Sequence, residues 1–159
     1  ISSLALVATA TKKQLIMNNQ NFSYVLSTID ARMSEIYGGW YDLSVPIPSL
    51  IGKEWVLPPS KLPKIKSADF FVINGFDLHN HISNNQYLNT NSGIIVSGTG
   101  LVYRDDFPQE YIEISNNNID GLVVDATDLI SLSEYFLNKN MTVKAEDLRP
   151  VYIRDNVTS

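Results

Sequence analysis

The sequence predicts an α+β fold in which one long N-terminal amphipathic helix packs on a small, mostly antiparallel sheet with one or two further helices. Three observations carry that expectation. Leu15, Asn19, Phe22, Leu26, Ile29, Met33 and Ile36 recur at spacings of four and three, the rhythm of one helical face. A proline-rich segment follows, and short β-type runs then alternate with a single clear helix pattern. The 44% hydrophobic and 18% charged content of the 159 residues suits a globular chain rather than a disordered one.

The first ten residues, ISSLALVATA, are apolar and uncharged and are followed by Lys12-Lys13. Ten residues cannot cross a bilayer, which takes about 20. The expectation is the trailing end of a truncated membrane anchor, with the lysines at the interface; the alternatives are a buried first helical turn or a signal-peptide remnant. From there the stripe predicts a helix over residues 10–37, about 42 Å long at 1.5 Å per residue. Gly38-Gly39 supplies the expected stop. This gives an expected division into 1–39, the helix with its anchor end, and 40–159, a small α+β domain. Leu15, Asn19, Phe22, Leu26, Ile29, Met33 and Ile36 form the expected interaction stripe, which could also mediate self-association.

Residues 40–66 hold Pro46, Pro48, Pro58, Pro59 and Pro63. Proline at that density argues against regular helix or a central strand, so an ordered wrapping segment pinned by Trp40, Tyr41, Leu50, Trp55, Val56 and Leu57 is expected. Residues 69–74 read as a strand and 76–88 are ambiguous. Residues 93–97 and 101–103 read as a hairpin about Gly98-Thr99-Gly100. Residues 111–114, 121–124 and 151–153 read as strands. Residues 126–137 read as a helix capped by Asp125 or Thr127, and 144–148 as a helical turn.

Chemistry is sparse. There is no cysteine, which removes disulfides, thiolate metal sites and cysteine nucleophiles. Asp77, His79 and His81 could share a strand face and hold zinc. On a helix they would diverge, and no further histidine completes a site. Asp105-Asp106 reads as a turn, and Asp125 with Asp128 as helix-start residues. No phosphate loop or serine elbow is present. A net charge of −5, with Lys12-Lys13 and Lys61, Lys64 and Lys66 as the only basic clusters and both read as solvated faces, argues against nucleic acid as partner. No catalytic residue, no metal and no cofactor is expected, and the chain is read as no enzyme.

The passage Val45-Pro46, Pro48, Leu50 and Trp55 resembles one in the PilM-type accessory proteins of type IVb pilus assembly. Phe70 to Ile73 resembles their strand, Gly75 to Leu88 their helix and Ser92 to Tyr103 their closing hairpin. The N-terminal helix is also similar to that of pilin-like proteins. The resemblance spans about residues 10–104. It implies a non-enzymatic component of a bacterial type IV pilus or related secretion assembly, acting by protein–protein packing. Its partners would be other pilus or secretion-assembly proteins and, through the truncated segment, the membrane. Its place would be the inner membrane with the domain in the periplasm, or an extracellular pilus. The alternative is a coiled-coil stalk carrying the ligand-binding module of a surface or phage structural protein. A third reading is a hydrolase or a metal-dependent enzyme using Asp77, His79 and His81.

Overall fold

A computed structural model describes residues 1–62, 93–115 and 122–154. Its architecture is mixed α+β: a four-stranded sheet with helices on both faces. The elements, in chain order, are helix α1 (Ser3–Met17), strands β1 (Tyr24–Arg32), β2 (Glu35–Asp42), β3 (Ser49–Leu57) and β4 (Ile94–Gly98), then helices α2 (Gln109–Ser115) and α3 (Ala126–Asn138). The sheet order is β3-β2-β1-β4, antiparallel except where β4 runs parallel to β1.

The long helix expected over residues 10–37 is not formed. α1 begins at Ser2, whose side chain accepts the Ala5 N–H at 3.1 Å. It ends at Asn18, and Asn19 turns the chain away at φ 53°. Its 15 residues span about 22 Å. The helix is lined by small and apolar residues, with Leu4, Ala8 and Leu15 buried against the sheet. That burial, not a bilayer, explains its apolar sequence. Lys12 and Lys13 also have partners inside the protein. The Lys12 ammonium donates to the Val45 and Pro46 carbonyls, and Lys13 pairs with Asp128 at 2.7 Å.

Residues 24–42 make strands because their apolar residues alternate on two faces, both of them covered. Tyr24 and Leu26 of β1, Ile36 and Trp40 of β2 and Val96 of β4 join Trp55, Phe107 and Tyr111 in one core. Val25, Tyr41 and Ile95 face α1 in the other, with Ile29 and Tyr37 packed against it. Strands buried on both sides read as near-continuous apolar runs, so the two faces together imitate a helical spacing. Gly38 and Gly39 lie inside β2 rather than at a helix end. A Cβ on Gly38 would sit 2.1 Å from the Trp55 ring, so the glycine leaves room for the indole.

The proline-rich segment contains β3, a strand fitted between Pro48 and Pro58. Among the described residues β3 pairs only with β2, and proline at the ends of an edge strand is tolerated. Four further strand expectations are corrected. Residues 99–106 form a 3-10 turn instead of a hairpin arm, 111–114 lie in α2, and 122–124 and 151–153 are irregular. The helix over 126–137 and the turn near 145 are present. The expectations for 69–74 and 76–88 lie outside the described residues.

One polar atom between the layers lacks a described partner. Ser27 is fully buried on β1, and its hydroxyl makes no described hydrogen bond. Its strand neighbour Ser97 lies 2.8 Å from the Thr11 hydroxyl. A buried hydroxyl without a partner costs roughly 1–3 kcal/mol. Ser27→Ala is therefore expected to leave the denaturant midpoint unchanged or raised, and a clear loss would show that the hydroxyl is satisfied.

Candidate functional site

Because β1 and β4 run parallel, with Thr28 opposite Gly98, their carboxyl ends meet at one edge of the sheet. In open sheets with parallel strands this is where binding groups collect. One cluster of polar side chains gathers there around the β1–β2 hairpin.

Asp30 is the centre of the cluster. One carboxylate oxygen accepts the Arg32 backbone N–H at 2.7 Å and the Tyr103 hydroxyl at 3.1 Å. The other pairs with the Arg32 guanidinium at 3.1 Å. The Arg32 backbone N–H, chiefly, holds the Asp30 carboxyl below its ordinary range, helped by Tyr103 and the Arg32 charge. Tyr103 moves the other way: packing and the neighbouring Asp30 keep its phenol protonated as a donor. The Asp30 N–H donates to the Thr99 hydroxyl at 3.1 Å. The 3-10 turn over residues 99–106 is thus tied to the hairpin from one side.

Arg154 ties it from the other side. Its guanidinium pairs with Glu35 and donates to the Ala31 carbonyl at 3.3 Å. It also lies 3.9 Å from the Met33 sulfur. Between these ties the tip turns through Arg32, Met33 and Ser34, with φ of 65°, 55° and 59°. For residues with a Cβ this conformation costs roughly 1–2 kcal/mol each. An ionised Asp30 and Arg-paired carboxylates make a recognition surface rather than an acid–base pair, since a general acid needs a raised pKa.

Two more clusters tie the layers together. Tyr41 donates to Glu54 at 2.6 Å, and Ser2 donates to the same carboxylate, pinning the start of α1 to β3. Burial, with Glu54 adding to it, pushes the Tyr41 phenol far up. Asp125 caps α3 by accepting the Thr127 N–H at 2.7 Å, and Asp128 accepts the Asp125 N–H at 2.9 Å. Lys13 of α1 pairs with both carboxylates, at 3.2 Å and 2.7 Å.

The Thr127 hydroxyl, then Lys13 and the Thr127 N–H, pull the Asp125 pKa down to about 2. A depressed carboxyl pKa contributes stability that is present above the unfolded value and lost as pH falls through the folded one. The gap in denaturant midpoint between wild type and Lys13→Ala is therefore expected to persist down to about pH 4 and to close towards about pH 2. A gap unchanged at pH 2 would contradict this account of the helix dock.

The seven expected stripe residues do not share one face. Leu15, Phe22 and Ile29 meet under α1, whereas Leu26 and Ile36 are buried in the opposite core. Asn19 lies in the turn after α1, and Met33 stands exposed at the hairpin tip. Asp77, His79 and His81 lie outside the described residues. Among the described residues no group of three His, Cys, Asp or Glu could hold a metal ion. Sequence reasoning missed Asp30, Arg32, Glu35, Tyr103 and Arg154. The available signal was the run Tyr24 to Ile29, rich in aromatic and β-branched residues as a strand is.

No protein-family model and no curated protein matches the chain. Solved structures do. The chain is similar to YeaZ from Pseudomonas aeruginosa, at 27% identity and a TM-score of 0.64, over 96% of this chain and 56% of that one. A second structure, described as an uncharacterized protein with similarity to peptidase YEAZ from Pseudomonas aeruginosa, matches at 27% identity and a TM-score of 0.66, over 97% and 57%. The chain therefore spans a little over half the length of either structure. This likeness overturns the type IV pilus reading, both as PilM-type accessory protein and as pilin-like protein, together with its pilus or secretion partners. The stalk alternative fails with it, since its heptad positions are divided among α1, the turn after it and the β1–β2 hairpin. Membrane anchoring and the inner-membrane, periplasmic or pilus location lose their basis too: among the described residues no helix is long and apolar enough to cross a membrane.

Proposed function

We propose that this chain is the greater part of a YeaZ-like protein that serves tRNA modification as a non-catalytic partner of another protein. The observation that carries the reading is the 27% identity to YeaZ over 96% of the chain, on one shared fold. Likeness to YeaZ admits two roles, in tRNA modification or in peptide cleavage. The residues favour the first. The chain has no cysteine and only two histidines. Asp30 and Asp125 are both held below the ordinary carboxyl range by their partners, the opposite of what a general acid requires. A chain of net charge −5 is also poorly suited to grip a phosphate backbone by itself. Its part in acting on tRNA would therefore run through a protein that binds the RNA.

The test is the nucleoside composition of bulk tRNA from cells depleted of the full protein. Loss of one modified nucleoside, restored on re-expression, is the expected result. An unchanged composition sinks the proposal.

A further inference from the structure

The tip of the β1–β2 hairpin is built against its own backbone preference. Arg32 pairs with Glu35, so the loop between them is the two residues Met33 and Ser34, both with positive φ. A two-residue hairpin loop of that kind is filled without strain by Asn-Gly. Here the chain places methionine and serine in the loop and arginine, also at positive φ, before it. None of the three is buried: the Arg32 side chain is 85% exposed and Met33 83% exposed. Packing of these side chains therefore does not offset the strain. What holds the tip are ties from elsewhere in the chain, Thr99 and Tyr103 on Asp30, and Arg154 on Ala31 and Glu35. Strained residues kept in place by an over-determined surround cluster at active sites, ligand clamps and switch regions.

We infer that this tip is a docking element, presenting Met33 and Arg32 to a protein that offers an apolar notch with a carboxylate at its rim. Methionine adapts its shape to such a notch, and methionine and arginine are both enriched where proteins meet. The guanidinium carries five N–H donors. The described pair with Asp30 engages Nη1, leaving the fork able to take a second carboxylate. The ligand is a protein rather than RNA. A thioether offers a phosphate nothing, and Asp30 and Glu35 beside the tip cancel the charge of Arg32 and Arg154. Arg154 is the positioning residue that holds the displayed geometry.

The inference rests on the partner-dependent reading above, and its test is separable from it. In the full protein, Met33→Asn with Ser34→Gly supplies the residues this turn prefers. The expected result is a thermal midpoint raised by about 5 °C, combined with failure to support growth of cells depleted of the native protein. A photo-crosslinking residue at position 34 should trap a nuclease-resistant protein adduct, lost on adding Met33→Asp, while one at exposed Val102 should not. Full growth on the stabilised variant overturns the inference, as does an adduct made of RNA or one indifferent to Met33→Asp. Unchanged tRNA nucleosides would sink the function proposed above and leave these two readouts standing.

Discussion

Replacing Gly98 by alanine is expected to leave the chain largely unfolded at physiological temperature. Gly98 closes β4 at φ 106° and ψ 179°, a region open essentially to glycine alone, where another residue costs about 1–3 kcal/mol in strain. The larger cost is steric. A Cβ there would lie 2.0 Å from the Thr28 carbonyl oxygen and 3.2 Å from Val7 Cγ1. The carbonyl belongs to β1, which is hydrogen-bonded to β2 on one side and β4 on the other, so it cannot retreat without opening the ladder. Together these terms should exceed about 4 kcal/mol, a large part of the 5–15 kcal/mol that keeps a domain folded. Urea unfolding followed by circular dichroism measures it. A variant within about 1 kcal/mol of wild type would mean that β4 does not press on β1 as described.

Leu26→Asp is expected to be as damaging for a different reason. Leu26 is fully buried in the first half of β1, in the core with Ile36, Trp40 and Val96. Removing such a side chain costs about 2–5 kcal/mol. The new carboxyl must then either desolvate a charge or take up a proton, which adds to the loss. Phe22→Asp should cost less, because Phe22 is only half-buried and precedes the strand. Leu26→Met, which conserves volume, should lose less than about 1.5 kcal/mol. The pair also separates two readings of this stretch. On an exposed helical stripe Leu26→Asp and Phe22→Asp would behave alike; on the sheet they part.

That contrast shows where the sequence misleads. Helix α3 was legible because its signals are local: an Asp125 cap, an acidic third residue and an apolar face. The sheet was not, because burial on both faces merges two period-2 patterns into one that imitates a helix. Choosing Phe22, Leu26, Ile29 and Ile36 as a stripe left aside Tyr24 and Val25, which are buried between them. The turn was hidden as well. Residues 32–34 contain no glycine, asparagine, aspartate or proline, and Ser34 is only a weak turn signal. Strand β3 lies between prolines that argue against a central strand, and as the outer strand of the described sheet it accepts proline at its ends.

The site suffered from distance along the chain. Asp30, Tyr103 and Arg154 are separated by 73 and 51 positions, and only the parallel pairing of β1 with β4 brings the first two together. No spacing rule reaches that far. Of the expected interaction residues, Met33 keeps a part in the function argued here. It does so as the exposed end of a hairpin instead of a member of a helical seam.

The most direct measurement is a depletion time course in which tRNA nucleosides and the cellular peptide pool are followed together by mass spectrometry. If the protein serves tRNA modification through a partner, one modified nucleoside falls in step with the protein and the peptide pool stays as it was. If peptides accumulate while every tRNA nucleoside holds its level, the protein works as a peptidase and the role argued here is wrong.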